Sequence, residues 1–155
     1  MAIRFATEAD CPLILDFVQA LAAYEKMSDQ VIATEELLHE WIFEKKKAEV
    51  LLLSQDQKEV GFALFFHNFS TFLGRACIYL EDLFVLPEYR NKSYGKALLK
   101  KLAQITLERG CGRMEWSCLD WNKPSIDFYL SLGAAAMDEW TTYRLTGAKL
   151  EEMAR

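Results

Sequence analysis

The sequence predicts an α/β (α+β) fold in which about four helices flank a mixed, largely antiparallel twisted sheet. Three observations lead there. Strand-like runs follow one another between residues 49 and 85 with short polar turns between them, the pattern of hairpins. Apolar residues recur at helical spacing on both sides of that block, over residues 13–24 and 98–105. Two further strand patterns follow the second helical stretch, and helical crossovers to them bring parallel pairing into the sheet.

Taken in order, Ile3 to Ala6 reads as a first strand. Thr7 suits the N-cap of the next helix, and Glu8 and Asp10 suit its positive end. Leu13, Ile14, Phe17, Val18, Leu21 and Tyr24 mark its buried face. A second helix starts after Thr34, with Glu35 and Glu36 in its first turn and Lys45, Lys46 and Lys47 near its end. Glu49 to Ser54 and Glu59 to His67 read as strands joined by the polar turn Gln55 to Lys58. Arg75 to Val85, "RACIYLEDLFV", is a longer strand that Pro87 ends. A helix over Tyr94 to Arg109 closes at Gly110. Gly112 to Leu119 reads as a strand, Asn122 to Leu132 as a short helix and Ala135 to Leu145 as a final strand.

The chain has 155 residues and no repeat, linker or low-complexity tract, which suits one domain over 1–155. Apolar residues make up 52% and charged residues 26%, a globular balance. The net charge of −5 argues against nucleic acid as a partner and is compatible with a cationic substrate. No apolar run approaches the roughly 18–20 residues that span a bilayer, and the N-terminus does not read as a signal peptide. The reading is therefore cytoplasmic, with no membrane partner. Cys11, Cys77, Cys111 and Cys118 form no C-x-x-C pair and read as reduced thiols. His39 and His67 are isolated, and no zinc-type spacing occurs, so no metal is expected.

One stretch departs from ordinary helix chemistry. In "PEYRNKSYGKALLKK" (residues 87–101) Arg90, Lys92 and Lys96 gather where the helix dipole is already positive. An anion such as phosphate would satisfy both the cations and the open N–H groups, and Gly95 would let it approach the backbone closely. A solvated surface turn accounts equally well for the charges alone. The Walker pattern is absent, because Gly95-Lys96 is followed by Ala97 with no glycine at the required upstream position, and G-x-G-x-x-G is absent too.

The six residues Arg90, Asn91, Lys92, Ser93, Tyr94 and Gly95 resemble the R/Q-x-x-G-x-G/A acyl-CoA pyrophosphate loop of the GNAT superfamily of N-acetyltransferases. Arg90 and Gly95 match, while Ser93 stands where the pattern has its first glycine. "YLEDLFVLPEYRNKSYGKALL", "LDWNKPSIDFYLSLGA" and "LAAYEKMSDQVIATEELL" extend the likeness over roughly residues 3 to 145, toward the spermidine/spermine (diamine) acetyltransferase branch. The resemblance implies a GNAT-type sheet with CoA bound at a splay between two central strands. It also implies acetyl-CoA as co-substrate, a small cationic amine as acceptor, direct transfer in a ternary complex and a homodimer.

Residue by residue, the resemblance assigns Arg90, Asn91, Lys92, Ser93, Tyr94, Gly95 and Lys96 to the pyrophosphate. It assigns Leu83, Phe84 and Val85 to the pantetheine and thioester through their backbone, and Asn122, Ser125 and Phe128 to the cofactor. Glu81 falls on the general-base position and Tyr129 on the tyrosine that protonates the departing thiolate. Tyr24, Glu25, Glu81, Asp82 and Trp140 are assigned to the acceptor site. The residues alone leave plainer readings beside these. Glu81 or Asp82 can occupy an edge or an ion pair, and adjacent strand positions place the two on opposite faces. Ile126, Tyr129 and Leu132 recur at core-facing spacing. Asn122 can simply cap its helix, Glu25 can be an exposed acid at a helix end, and Trp140 can be core. If position 93 needs a positive φ, serine costs on the order of 1 kcal/mol there.

A polyamine such as spermidine or spermine is the first expectation for the acceptor. Thialysine or another amino-acid-like amine is the alternative within the family. A CoA-binding regulator without turnover is the alternative of another class, and the presence of Glu81 and Tyr129 argues against it.

Overall fold

A computed structural model describes all 155 residues, which form two compact units, residues 1–117 and residues 118–155. The first holds one five-stranded sheet in chain order: β1 (Ala2–Phe5), β2 (Glu49–Gln55), β3 (Lys58–Ser70), β4 (Arg75–Val85) and β5 (Met114–Trp116). β1 to β4 pair antiparallel, and β5 joins β4 in parallel. The mixed, mostly antiparallel sheet expected from the sequence is therefore present. The β2–β3 hairpin turns on Asp56 and Gln57, at φ 51° and 66°. Positive φ at both central residues is what a two-residue loop needs to match strand twist.

Each face of the sheet has its own helical cover. Val50, Leu52, Phe62 and Phe84 share a cluster with Ile14 and Phe17 of α1 (Cys11–Tyr24). The rings of Phe17 and Phe62 stack there at 5.2 Å. α2 (Glu35–Leu38), capped by Thr34, continues into a π-helical turn over His39–Glu44 that adds Ile42 to the same cluster. On the opposite face lies α3 (Tyr94–Glu108), whose Leu98, Leu99, Leu102 and Ile105 are buried. Gly61 on β3 permits this approach. A Cβ there would stand 3.1 Å from the Phe84 carbonyl oxygen and 3.7 Å from Leu98 Cδ1.

In the second unit α4 (Lys123–Ser131) and α5 (Gly147–Met153) are joined by irregular and turn residues. The strand expected over Ala135 to Leu145 does not form. A strand exists only as one side of a hydrogen-bonded ladder. Here Trp140 N–H instead donates to Met137 O at 3.3 Å and closes a turn mid-segment. The strand expected over Gly112 to Leu119 contracts to three residues for the same reason, since only Met114–Trp116 find partners on β4. α5 went unread in the sequence, although Thr146 at its N-cap position and the run Ala148 to Met153 are ordinary helix signals. No helix is long and apolar enough to cross a membrane.

Candidate active site

β4 carries the chemistry because its regular ladder fails at one place. Phe65 pairs with Leu80 and Leu64 with Asp82, so Glu81 is an extra residue opposite no partner. This is a β-bulge, a device that re-aims side chains beside functional sites. Leu64 and Phe65 face opposite sides of the sheet, so Leu80 and Asp82, although two residues apart, do so as well. Leu80 stays on the α3 face. Asp82 moves to the α1 face with Phe84 and Phe62, where α1 ends at Tyr24 and Glu25 follows as its C-cap.

The expectation that Glu81 and Asp82 occupy separate environments is thereby corrected. Burial first, then Glu81, then Glu25, pushes the Asp82 carboxyl from 3.8 up to about 7. Glu25 is also raised, by burial and then by Glu81. The three carboxylates form one electrostatic cluster, with Glu81 exposed and Asp82 half-buried. Beside it, Tyr24 and Phe84 approach each other at 6.2 Å.

The parallel ladder to β5 ends at Leu80–Trp116, one residue before the bulge. Within the first unit, Asp82 to Val85 therefore have a strand partner on the β3 side alone, and Glu81 has none. Open backbone N–H and C=O groups along such an edge must find other partners.

After β4 the chain makes a short 3₁₀ turn at Pro87–Tyr89 and reaches α3 through Arg90 to Ser93. Arg90 turns inward. Its Nε donates to Val85 O at 3.0 Å, and its guanidinium lies 4.7 Å from the Tyr24 ring centre and 5.2 Å from that of Phe84. It ties the base of the loop to the carboxylate side of the sheet. Lys92 and Lys96 are exposed and belong to no ion pair.

The start of α3 is chemically open. Thr34 caps α2 and Asn122 caps α4, each by accepting a backbone N–H at its own helix start, whereas the Ser93 hydroxyl caps nothing. The first-turn N–H groups of α3 therefore lack a side-chain acceptor. A Cβ on Gly95 would meet no atom within 4 Å, so the glycine leaves clear space there. Tyr94 reaches back to the β2–β3 hairpin, its hydroxyl donating to Gln55 Oε1.

The second unit carries the remaining predicted residues. Asn122 is buried, and its Oδ1 accepts from Ser125 N at 3.4 Å. Phe128 and Tyr129 lie one after the other on α4 with ring centres 5.5 Å apart. Trp140 is 76% exposed and sits in the turn that replaced the expected strand.

The model of the acetyltransferase (GNAT) family matches residues 14–134. The chain belongs to this family. Thialysine N-epsilon-acetyltransferase of Sus scrofa is 40% identical to this GNAT chain over 98% of it and 96% of the relative. Spermidine/spermine N(1)-acetyltransferase-like protein 1 of Homo sapiens is 31% identical over 98% of this chain and 23% of that longer protein. An integron cassette protein from the mobile metagenome of V. cholerae has a solved structure that superposes with a TM-score of 0.83 at 28% identity, covering 99% of this chain and 97% of that one. The GNAT chain is accordingly an acetyltransferase, as the resemblance implied.

Its GNAT loop departs from the family pattern at a position that matters to the backbone. Ser93 adopts φ 63° and ψ 21°, and Asn91 also has φ 63°. This is the left-handed region that glycine enters freely and other residues enter at a cost, asparagine least among them. Ser93→Gly is expected to raise stability by about 1 kcal/mol, a few degrees in Tm for a chain of this size. A thermal melt checks it, and an unchanged or lower Tm shows that the hydroxyl contributes something glycine lacks.

Proposed function

We propose that this protein transfers an acetyl group from acetyl-CoA to a primary amine of a small cationic acceptor, with thialysine or another amino-acid-like amine favoured over a polyamine. The observation that carries the reading is the Glu25–Glu81–Asp82 cluster at the bulge, next to the place where β4 and β5 part. Asp82 and Glu25, both raised by burial and by the charge of Glu81, form with it a site that an ammonium completes. The preference for an amino-acid-like amine draws on the 40% identity to thialysine N-epsilon-acetyltransferase over nearly the whole of both chains.

The residues divide the work as follows. The open N–H groups of α3, with Lys96, hold the pyrophosphate, Gly95 gives it clearance, and Lys92 serves the same cofactor. Arg90 anchors the loop through Val85 O. The free edge of Leu83, Phe84 and Val85 offers backbone partners to the pantetheine arm, and Asn122, Ser125 and Phe128 serve the same ligand from α4. Acetyl-CoA supplies the activated thioester. The acceptor ammonium must lose its proton before its nitrogen can attack, and Glu81, exposed at the bulge, relays that proton to water. As the carbon–sulfur bond breaks, the Tyr129 hydroxyl donates a proton to the leaving sulfur. Tyr24, Glu25, Asp82 and Trp140 hold the acceptor, Trp140 by attraction of an ammonium to its ring. A homodimer is part of the proposal, on family grounds.

Release of free CoA thiol tests the reading, with acetyl-CoA and a panel of thialysine, lysine, spermidine, spermine, putrescine and an aminoglycoside. The highest kcat/KM is expected with thialysine or lysine. Fastest turnover with spermidine or spermine restores the polyamine reading, and no thiol release with any amine leaves a CoA-binding regulator.

A further inference from the structure

The loop before α3 meets a second basic element that the family pattern does not contain. The β2–β3 hairpin turns at Asp56–Gln57 and begins β3 with Lys58. Lys58 Nζ lies 5.5 Å from the centre of the Tyr89 ring, and Lys92 Nζ also lies 5.5 Å from it. The two ammoniums are thus no further apart than twice that distance, one from the hairpin and one from the pyrophosphate loop. Both are exposed, and neither belongs to an ion pair. Glu59, the acid next to Lys58, is committed to Arg4 at 3.0 Å. The hairpin is fixed against the loop by a second contact, the hydrogen bond from Tyr94 to Gln55.

Two unpaired ammoniums around one ring repel each other, and the attraction of each to the ring offsets only part of that. A dianion between them would be held by both. The pyrophosphate is assigned to the N–H groups of α3, so it does not use this position. Coenzyme A carries one further dianionic group, the 3′-phosphate of its ribose. We propose that Lys58 and Lys92, each 5.5 Å from the centre of the Tyr89 ring, bind the 3′-phosphate of CoA, so that the hairpin distinguishes CoA from its dephosphorylated form. The inference rests on the acetyl-CoA reading above and adds to it a specificity residue, Lys58, outside the family motif.

Calorimetric titration with CoA and with dephospho-CoA, which differ only in that phosphate, tests it. The wild-type protein is expected to bind CoA about tenfold more tightly than dephospho-CoA. In Lys58→Ala, CoA affinity should fall about fivefold while that for dephospho-CoA stays unchanged, and Lys58→Arg should restore most of the loss. The preference should also shrink as salt is raised. Equal binding of the two ligands by the wild type overturns the site and leaves the acetyl-CoA reading intact. Equal weakening of both ligands in Lys58→Ala overturns it in favour of a purely structural tether between hairpin and loop. If the wild type binds neither ligand at millimolar concentration, the acetyl-CoA reading falls and this inference falls with it.

Discussion

In Tyr129→Phe, kcat should fall by about two orders of magnitude, the scale of a lost general acid, while Tm and CoA affinity stay where they were. The argument starts from the leaving group. A thiol near the reference pKa of ~8.5 departs as thiolate at neutral pH only with a penalty, and a proton arriving during bond breaking removes it. Tyr129 is half-buried on α4, whose start Asn122 caps and whose Phe128 ring lies 5.5 Å away. Phenylalanine keeps the ring and its packing and removes only the hydroxyl. Steady-state thiol release, a thermal melt and a CoA titration on the same preparation separate the three quantities. Unchanged kcat removes Tyr129 from the mechanism, and a lowered Tm returns it to the core-facing role its spacing also allows.

Asp82→Asn should be more stable than the wild type at pH 8, equal to it near pH 4, and poorer at binding the acceptor. The sign follows from the raised pKa. The folded chain releases the Asp82 proton near pH 7, whereas the unfolded chain releases it near 3.8. Between those values the folded state holds a proton that the unfolded state has lost, so wild-type stability is fully present below about pH 4 and declines as pH rises to about 7. The full interval corresponds to at most about 4 kcal/mol, and relaxation of a half-buried group reduces that to about 1–2. Asparagine carries no such charge. Its advantage should appear across that window and level off above it, worth roughly 3–6 °C in Tm at pH 8. A cationic acceptor reverses the preference, since it is held by the ionised cluster, so KM should rise in the variant. Melts at several pH values and acceptor kinetics check both halves. A variant less stable than the wild type at pH 8 shows that the Asp82 carboxylate has a compensating partner.

Much of this was legible in the sequence because it depends on local rules. β4 runs from Arg75 to Val85 as read, since β-branched and aromatic residues fill it and Pro87 stops it. α3 and its basic start were legible from spacing and charge, and Ser93 stood out only because the family loop it resembles has glycine there. The bulge at Glu81 was not legible, because an extra residue is defined only against the partner strand. Its effect, bringing Asp82 to the side of Glu25, follows from pairing with Leu64 and from nothing in "YLEDLFV" itself. The segment Ala135 to Leu145 failed in the opposite direction. Its tryptophan, threonines and tyrosine suit a strand, yet suitability does not supply a ladder. Lys58 escaped notice because a lysine at the end of a polar turn is unremarkable until its nearest ring proves to be Tyr89.

The extra residue in β4 also sets what kinds of variation this protein can accept. Substitution at Glu81 or Asp82 changes a side chain and leaves the strand's phase alone, so libraries built from point changes can explore acceptor preference without disturbing the sheet. Deletion of either residue is different in kind. It restores a regular ladder in which Leu80 keeps the α3 face and Phe84 the α1 face, and what is lost is the bulge itself together with one of the carboxylates it gathers. Divergence of acceptor choice in a lineage with this strand should therefore proceed by replacement, with length held constant between Leu80 and Val85.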